Sequence, residues 1–177
     1  GGFDCRGSCC SMKCFFRVMK GGKSPYDWAI RWYSRSPYTH AEFAWPLTSR
    51  KPRGWLGAQS SRIGGVPSGA QIRPSDYLDP CEFDLFSVDL TKGQLTKLQA
   101  FLTDQLDKPY DFRAIVRMGI PQIPDHGDAT AYWFCSELVY YALADAGISL
   151  LRVPLKDSDV ITPRDVAIST VSTLETP

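Results

Sequence analysis

The sequence predicts an α+β domain, with mainly antiparallel strands packed against helices. Three observations carry that expectation. Strand-like segments follow one another through residues 39–90 rather than alternating with helices. Apolar residues at helical spacing appear after residues 24, 91 and 134. The resulting order is strand, helix, several strands, helix, loop, helix, which suits helices gathered on one face of an antiparallel sheet.

The elements follow in chain order. Residues 13–19 (KCFFRVM) read as a buried first strand. Ser24-Pro25-Tyr26-Asp27 starts a helix with serine as cap, proline at the first helical position and an acid in the first turn. That helix stops near residues 34–37. Residues 39–45 (THAEFAW) alternate, with Ala41, Phe43 and Trp45 on one face and His40, Glu42 and Ala44 on the other. A polar face and an apolar face are expected. Residues 46–54 form a turn, and residues 55–61 a partner strand on which Gly57, Gln59 and Ser61 share a face. Residues 71–73 and 83–90 supply more strand. Thr91-x-x-Gln94 is a capping box, followed by a stripe of Leu95, Leu98, Phe101, Leu102 and Leu106 that ends at Lys108-Pro109. Residues 119–131 read as a loop. Apolar residues at Leu138, Val139, Ala142, Leu143 and Ala146 define a helix opening at Cys135 and ending near Gly147. Thr162-Pro163-Arg164-Asp165 starts a last short helix.

The chain has 177 residues, which suits one domain over residues 12–177. Gly1-Gly2 and the position of Met12 suggest that residues 1–11 are a tag remnant or an unstructured N-terminal segment. Twenty basic side chains face 19 acidic ones with no basic block, so nucleic acid is not an expected partner. No apolar stretch is long enough to cross a bilayer. No signal peptide is visible, and a cytoplasmic, virion or cell-wall location stays open. Cys5, Cys9, Cys10 and Cys14 crowd the start, in a spacing that matches no familiar zinc pattern. A disulfide among them is an alternative. No metal or cofactor is expected.

The chemistry centres on Cys135. A thiol at a helix N-terminus feels unpaired backbone N–H groups, which favour the thiolate. Two histidines can serve as base, His40 and His126. His40 lies on the polar face of a strand, whereas His126 sits in the loop IPDHGDAT, which would hold an imidazole poorly. A group that orients the imidazole is also needed. Gln59 is the first candidate, because an amide oxygen can accept the second ring N–H. Glu42 and Ser61 are alternatives. Glu42 is two residues from His40, so their Cβ atoms stand roughly 6–7 Å apart and the ring must lean toward it. Glu137, in the first turn of the Cys135 helix, is placed to complement the helix dipole.

THAEFAW, then YDF at residues 110–112 within KPYDF, then CSELVYYAL and TPRD resemble, in that order, the circularly permuted papain-like amidases. This is the YiiX/YaeF-like group, related to the NlpC-type cell-wall cysteine peptidases and more distantly to lecithin:retinol acyltransferase. The resemblance spans most of residues 13–170. It implies a permuted papain-like fold with histidine before cysteine, Cys135 as nucleophile and His40 as base. It also implies a third polar residue on the next strand. Many relatives have an acid in that region, where this chain has Gln59 or Ser61. Tyr110 matches a family tyrosine near the site, and Tyr110 and Ser136 are the candidates for oxyanion or substrate binding.

The implied function is a cysteine amidase or peptidase working through an acyl-enzyme, on a peptide substrate such as those of peptidoglycan. Two alternatives share the scaffold. One is an acyltransferase or thioesterase acting on a lipid acyl group. The other is a non-catalytic binding or virion-associated module.

Overall fold

A computed structural model describes residues 11–63, 65–78, 81–120, 131–151, 160–169 and 171–176. Strand β1 (Met12–Lys20) leads to helix α1 (Pro25–Ser34), then β2 (Tyr38–Trp45), β3 (Gly54–Gln59), β4 (Gly69–Pro74) and β5 (Phe83–Leu90). Helices α2 (Lys92–Asp104), α3 (Phe112–Gly119), α4 (Cys135–Asp145) and α5 (Pro163–Ala167) follow, and β6 (Thr173–Leu174) closes the order. The strands form one six-stranded sheet in the order β4-β3-β2-β1-β5-β6. Every neighbouring pair is antiparallel. The expected α+β architecture is what the chain adopts.

The helix starts are where the caps place them. Ser24 and Asp27, Thr91 and Gln94, and Thr162 and Asp165 each form a reciprocal capping box. At the far end of α4, Gly147 takes φ 82°, and the following Ile148 N–H returns to the Leu143 carbonyl at 2.8 Å. A left-handed residue just past the last turn is where glycine costs least.

Helices α2 and α4 cover one face of the sheet. Cys14, Phe16, Val18, Ala41, Phe43, Leu56, Ala70 and Phe86 pack there with Leu98, Leu102, Leu138 and Leu143. Cys14 is a free thiol in this core, and burial pushes its pKa up to about 12, so it is inert. The opposite face differs from the expectation of a polar strand surface. All six central positions of β2 are buried. The segment after β4 folds across this face and brings Tyr77 onto Phe15, Ala44 and Trp55, beside Leu85 of β5. Alternation in the sequence marked which residues share a face, but a turn from elsewhere in the chain decided that both faces are dry.

Two elements were not anticipated. Residues 112–119 form α3, capped by the Asp111 carboxylate, which accepts from the Arg113 and Ala114 amides. Its last residue, Gly119, lies in what read as the start of a loop. Strand β6 is two residues long and carries no periodicity to detect. The partner strand expected over 55–61 ends at Gln59. Cys5, Cys9, Cys10 and His126 lie outside the described residues, as do residues 1–10 of the proposed tag segment.

Candidate functional site

Helix α4 opens at Cys135. Its N-cap residue is Phe134, which supplies no capping side chain, so the first-turn amides remain open to an outside acceptor. Trp133 and Phe134 are fully buried. Trp133 is tied down by exchange with the 109–111 segment and by its indole N–H, which donates to Gln105 Oε1 at 3.2 Å. The thiol therefore sits on a packed element and is itself only 1% exposed.

His40 lies on β2 opposite Met19 of β1. Its ring meets two groups, the Cys135 thiol and the Glu42 carboxylate. The second contact is from Nε2 to Glu42 Oε2 at 3.4 Å. Burial on its own would push the imidazole pKa down. Hydrogen bonding to Cys135 and Glu42, with their negative charge, outweighs it and raises the pKa to about 9.

Glu42 is itself fully buried and fully engaged. Arg17, its cross-strand partner on β1, donates from Nε to Glu42 Oε1 at 2.6 Å. Tyr77 donates its hydroxyl to Glu42 Oε2 at 2.7 Å. Burial pushes the carboxyl pKa up, but His40, Arg17 and Tyr77 together hold it below the usual value. The Arg17 guanidinium in turn stacks 4.1 Å from the Trp55 ring centroid. Room for this carboxylate comes from Gly57 on β3, where a Cβ would stand 2.6 Å from Glu42 Cβ.

The other sequence candidates are placed as follows. Gln59 lines the cleft beside His40, but its side-chain oxygen accepts from the Ser60 amide at 3.1 Å. Ser61 lines the same cleft. Among the three candidates for the orienting position, Glu42 is the one whose side chain contacts the ring. The separation of Cβ atoms along one strand made it look remote, yet the leaning ring closes the gap. Ser136 is buried with its hydroxyl donating to the Ile161 carbonyl at 2.7 Å, so only its amide is left for a ligand. Glu137 stands 3.6 Å from Arg117. Tyr110 is buried between Phe112 and Phe134, with ring centroids at 5.1 and 5.9 Å, and lines the cleft. Burial, then the negative charge of Cys135, pushes its hydroxyl pKa well up, so it stays a proton donor.

The cleft on which His40 and Tyr110 open has a volume of about 200 Å³. Met19, Ile30, Ile63 and Leu78 give it apolar walls, and Ser60 and Ser61 give it hydroxyls. Arg17 and Tyr77 were missed as parts of the site. The cross-strand position of Arg17 depends on register, and Tyr77 arrives through a turn, so neither left a local pattern.

No protein-family model matches the sequence, and no curated protein matches it. Among solved structures, the fold is similar to the crystal structure of the metalloprotein yiiX from Escherichia coli O157:H7, DUF1105. That likeness has a TM-score of 0.65 over 93% of this chain and 97% of the other, at 17% sequence identity. The two share a fold.

Proposed function

We propose that the protein is a cysteine hydrolase, an amidase or peptidase, on a permuted papain-like scaffold. The observation that carries this reading is the imidazole of His40, held between a thiol at a helix start and a buried, multiply bonded carboxylate. A nucleophile, a base and an orienter in that order are what acyl transfer requires.

Cys135 attacks the acyl carbon as thiolate, its proton residing on His40. The oxyanion is received by the open amides at the start of α4, with the Tyr110 hydroxyl as a second donor. His40 gives its proton to the leaving amine as the C–N bond breaks. Water then attacks the thioester, His40 takes the water proton, and the C–S bond breaks as the acid leaves, which restores the thiolate with its proton on His40. Glu42 holds the ring tautomer and stabilises imidazolium. Arg17 and Tyr77 hold Glu42.

The neighbour's description as a metalloprotein raises the question of a metal in this chain. Among the described residues no three His, Cys, Asp or Glu side chains gather to hold one. No step here is routed through a metal.

The apolar walls of the cleft favour a second reading with the same thioester and a lipid acyl group in place of the peptide. The test is to trap the acyl-enzyme with a panel of peptide and acyl esters and weigh the intact protein. An adduct on Cys135 that disappears in Cys135→Ala and His40→Ala supports acyl transfer, and the ester that acylates fastest selects between peptide and lipid. No adduct from any ester, with iodoacetamide labelling Cys135 no faster than a free thiol at neutral pH, would favour a binding module.

A further inference from the structure

We propose that the face built by α1 and α3 docks on an anionic lipid surface. Most of the large apolar side chains left exposed among the described residues lie on these two helices and the cap of α3. Trp28 and Trp32, one helical turn apart, are 62% and 65% exposed. Their rings stack 6.3 Å apart with planes 14° from parallel, forming one flat indole platform. On α3 and its cap, Phe112, Val116 and Ile120 recur every fourth residue and are all exposed. Tyr26 touches Phe112 at 5.9 Å, so the two helices present adjoining apolar surface.

Such a stripe on a soluble helix normally turns inward. Here α1 buries Ile30 and Ser34 and presents its tryptophans outward. Basic side chains outnumber acidic ones around them. Lys23, Arg35 and Arg113 are exposed and Arg31 half-buried. The acids among them are Asp27, which accepts from the Ser24 amide and hydroxyl at 2.9 and 2.7 Å, and Asp111, which accepts from the Arg113 and Ala114 amides at 2.8 and 3.3 Å. The whole chain has a formal net charge of only +1, so this basic excess is local. Indoles suit the headgroup layer, and a basic surround suits anionic lipid. Charge complementarity thus selects the occupant. Tyr26 and Ile30 also line the His40 cleft, so docking would set its mouth beside the bilayer.

The test uses the full chain and vesicles of phosphatidylcholine with phosphatidylglycerol, read by flotation and by tryptophan emission with brominated acyl chains as quencher. Binding needs no turnover, so its failure and the failure of the hydrolase reading are distinguishable. Co-flotation, a blue shift and quenching are expected at low salt, with much weaker binding to phosphatidylcholine alone. Trp28→Ala with Trp32→Ala should lower partitioning at least tenfold while circular dichroism is unchanged. Each basic residue near the surface is worth about 1 kcal/mol, roughly fivefold. Arg31→Gln with Arg35→Gln should therefore lower partitioning roughly 25-fold. Absence of flotation, equal binding to neutral vesicles, or indifference to the tryptophan pair would overturn the proposal. So would a dimer in sedimentation that the tryptophan pair abolishes without any vesicle binding, which would assign the face to a second copy of the chain.

Discussion

His40 should keep its proton far into the alkaline range. The folded ring holds it up to about 9, against an ordinary value of 6.5. Burial opposes this, and hydrogen bonding to Cys135 and Glu42 outweighs it. At pH 8 the folded ring should be about 90% protonated, where an ordinary imidazole would be about 3%. In the proposed pair the proton on His40 is the one that Cys135 gives up, so folding moves a proton within the pair rather than binding a new one. Urea denaturation followed by tryptophan fluorescence should therefore change little between about pH 6.5 and 8.5 on account of this pair. The direct assay is the ring resonance of His40, followed by NMR at half-unit pH steps, with His40→Asn to distinguish it from that of His126. A midpoint near 9 is expected. A His40 midpoint at or below the ordinary 6.5 would refute the claim that thiol and carboxylate hold the imidazole protonated.

Glu42→Gln should cost about 3–5 kcal/mol in the same denaturation assay, because it leaves the Arg17 guanidinium buried without its counter-charge. Gly57→Ala should cost about 1–3 kcal/mol by overpacking, since its methyl would stand 2.6 Å from Glu42 Cβ; a loss of acylation rate greater than stability explains would mark displacement of the carboxylate. Tyr110→Phe should slow acylation of Cys135 by about 10²-fold or less, with little change in melting temperature, if its hydroxyl receives the oxyanion.

The parts of the site that local pattern could reveal were legible. The change from aromatic run to helical spacing placed Cys135 at a helix start, and alternation placed His40 and Glu42 on one face of a strand. Caps at Ser24, Thr91 and Thr162 fixed three helix starts, because a capping side chain acts within four residues. What was not legible acts across the sheet. Arg17 meets Glu42 through the β1–β2 register, and hydrophobic alternation admits several registers on a strand buried on both faces. Gln59 read as the orienter because it stood on the adjacent strand, but its oxygen turned back to the local Ser60 amide. Such short side chain-to-backbone bonds compete with any longer-range partner. Helix α3 had an aspartate cap and was hidden by its brevity, two turns between Pro109 and a segment rich in Pro, Gly and Asp.

The aromatic roof over the Arg17–Glu42 pair divides the molecule's response to its medium. Dissolved ions screen charges they can surround, within a Debye length of about 10 Å at 0.1 M salt. Under Trp55 and Tyr77 there is no room for them, so the field that sets the imidazole is an internal constant of the fold. The basic rim of α1 has no such shelter. If the face of α1 meets lipid and Cys135 reacts as proposed, ionic strength would tune where the protein lingers and not how it reacts.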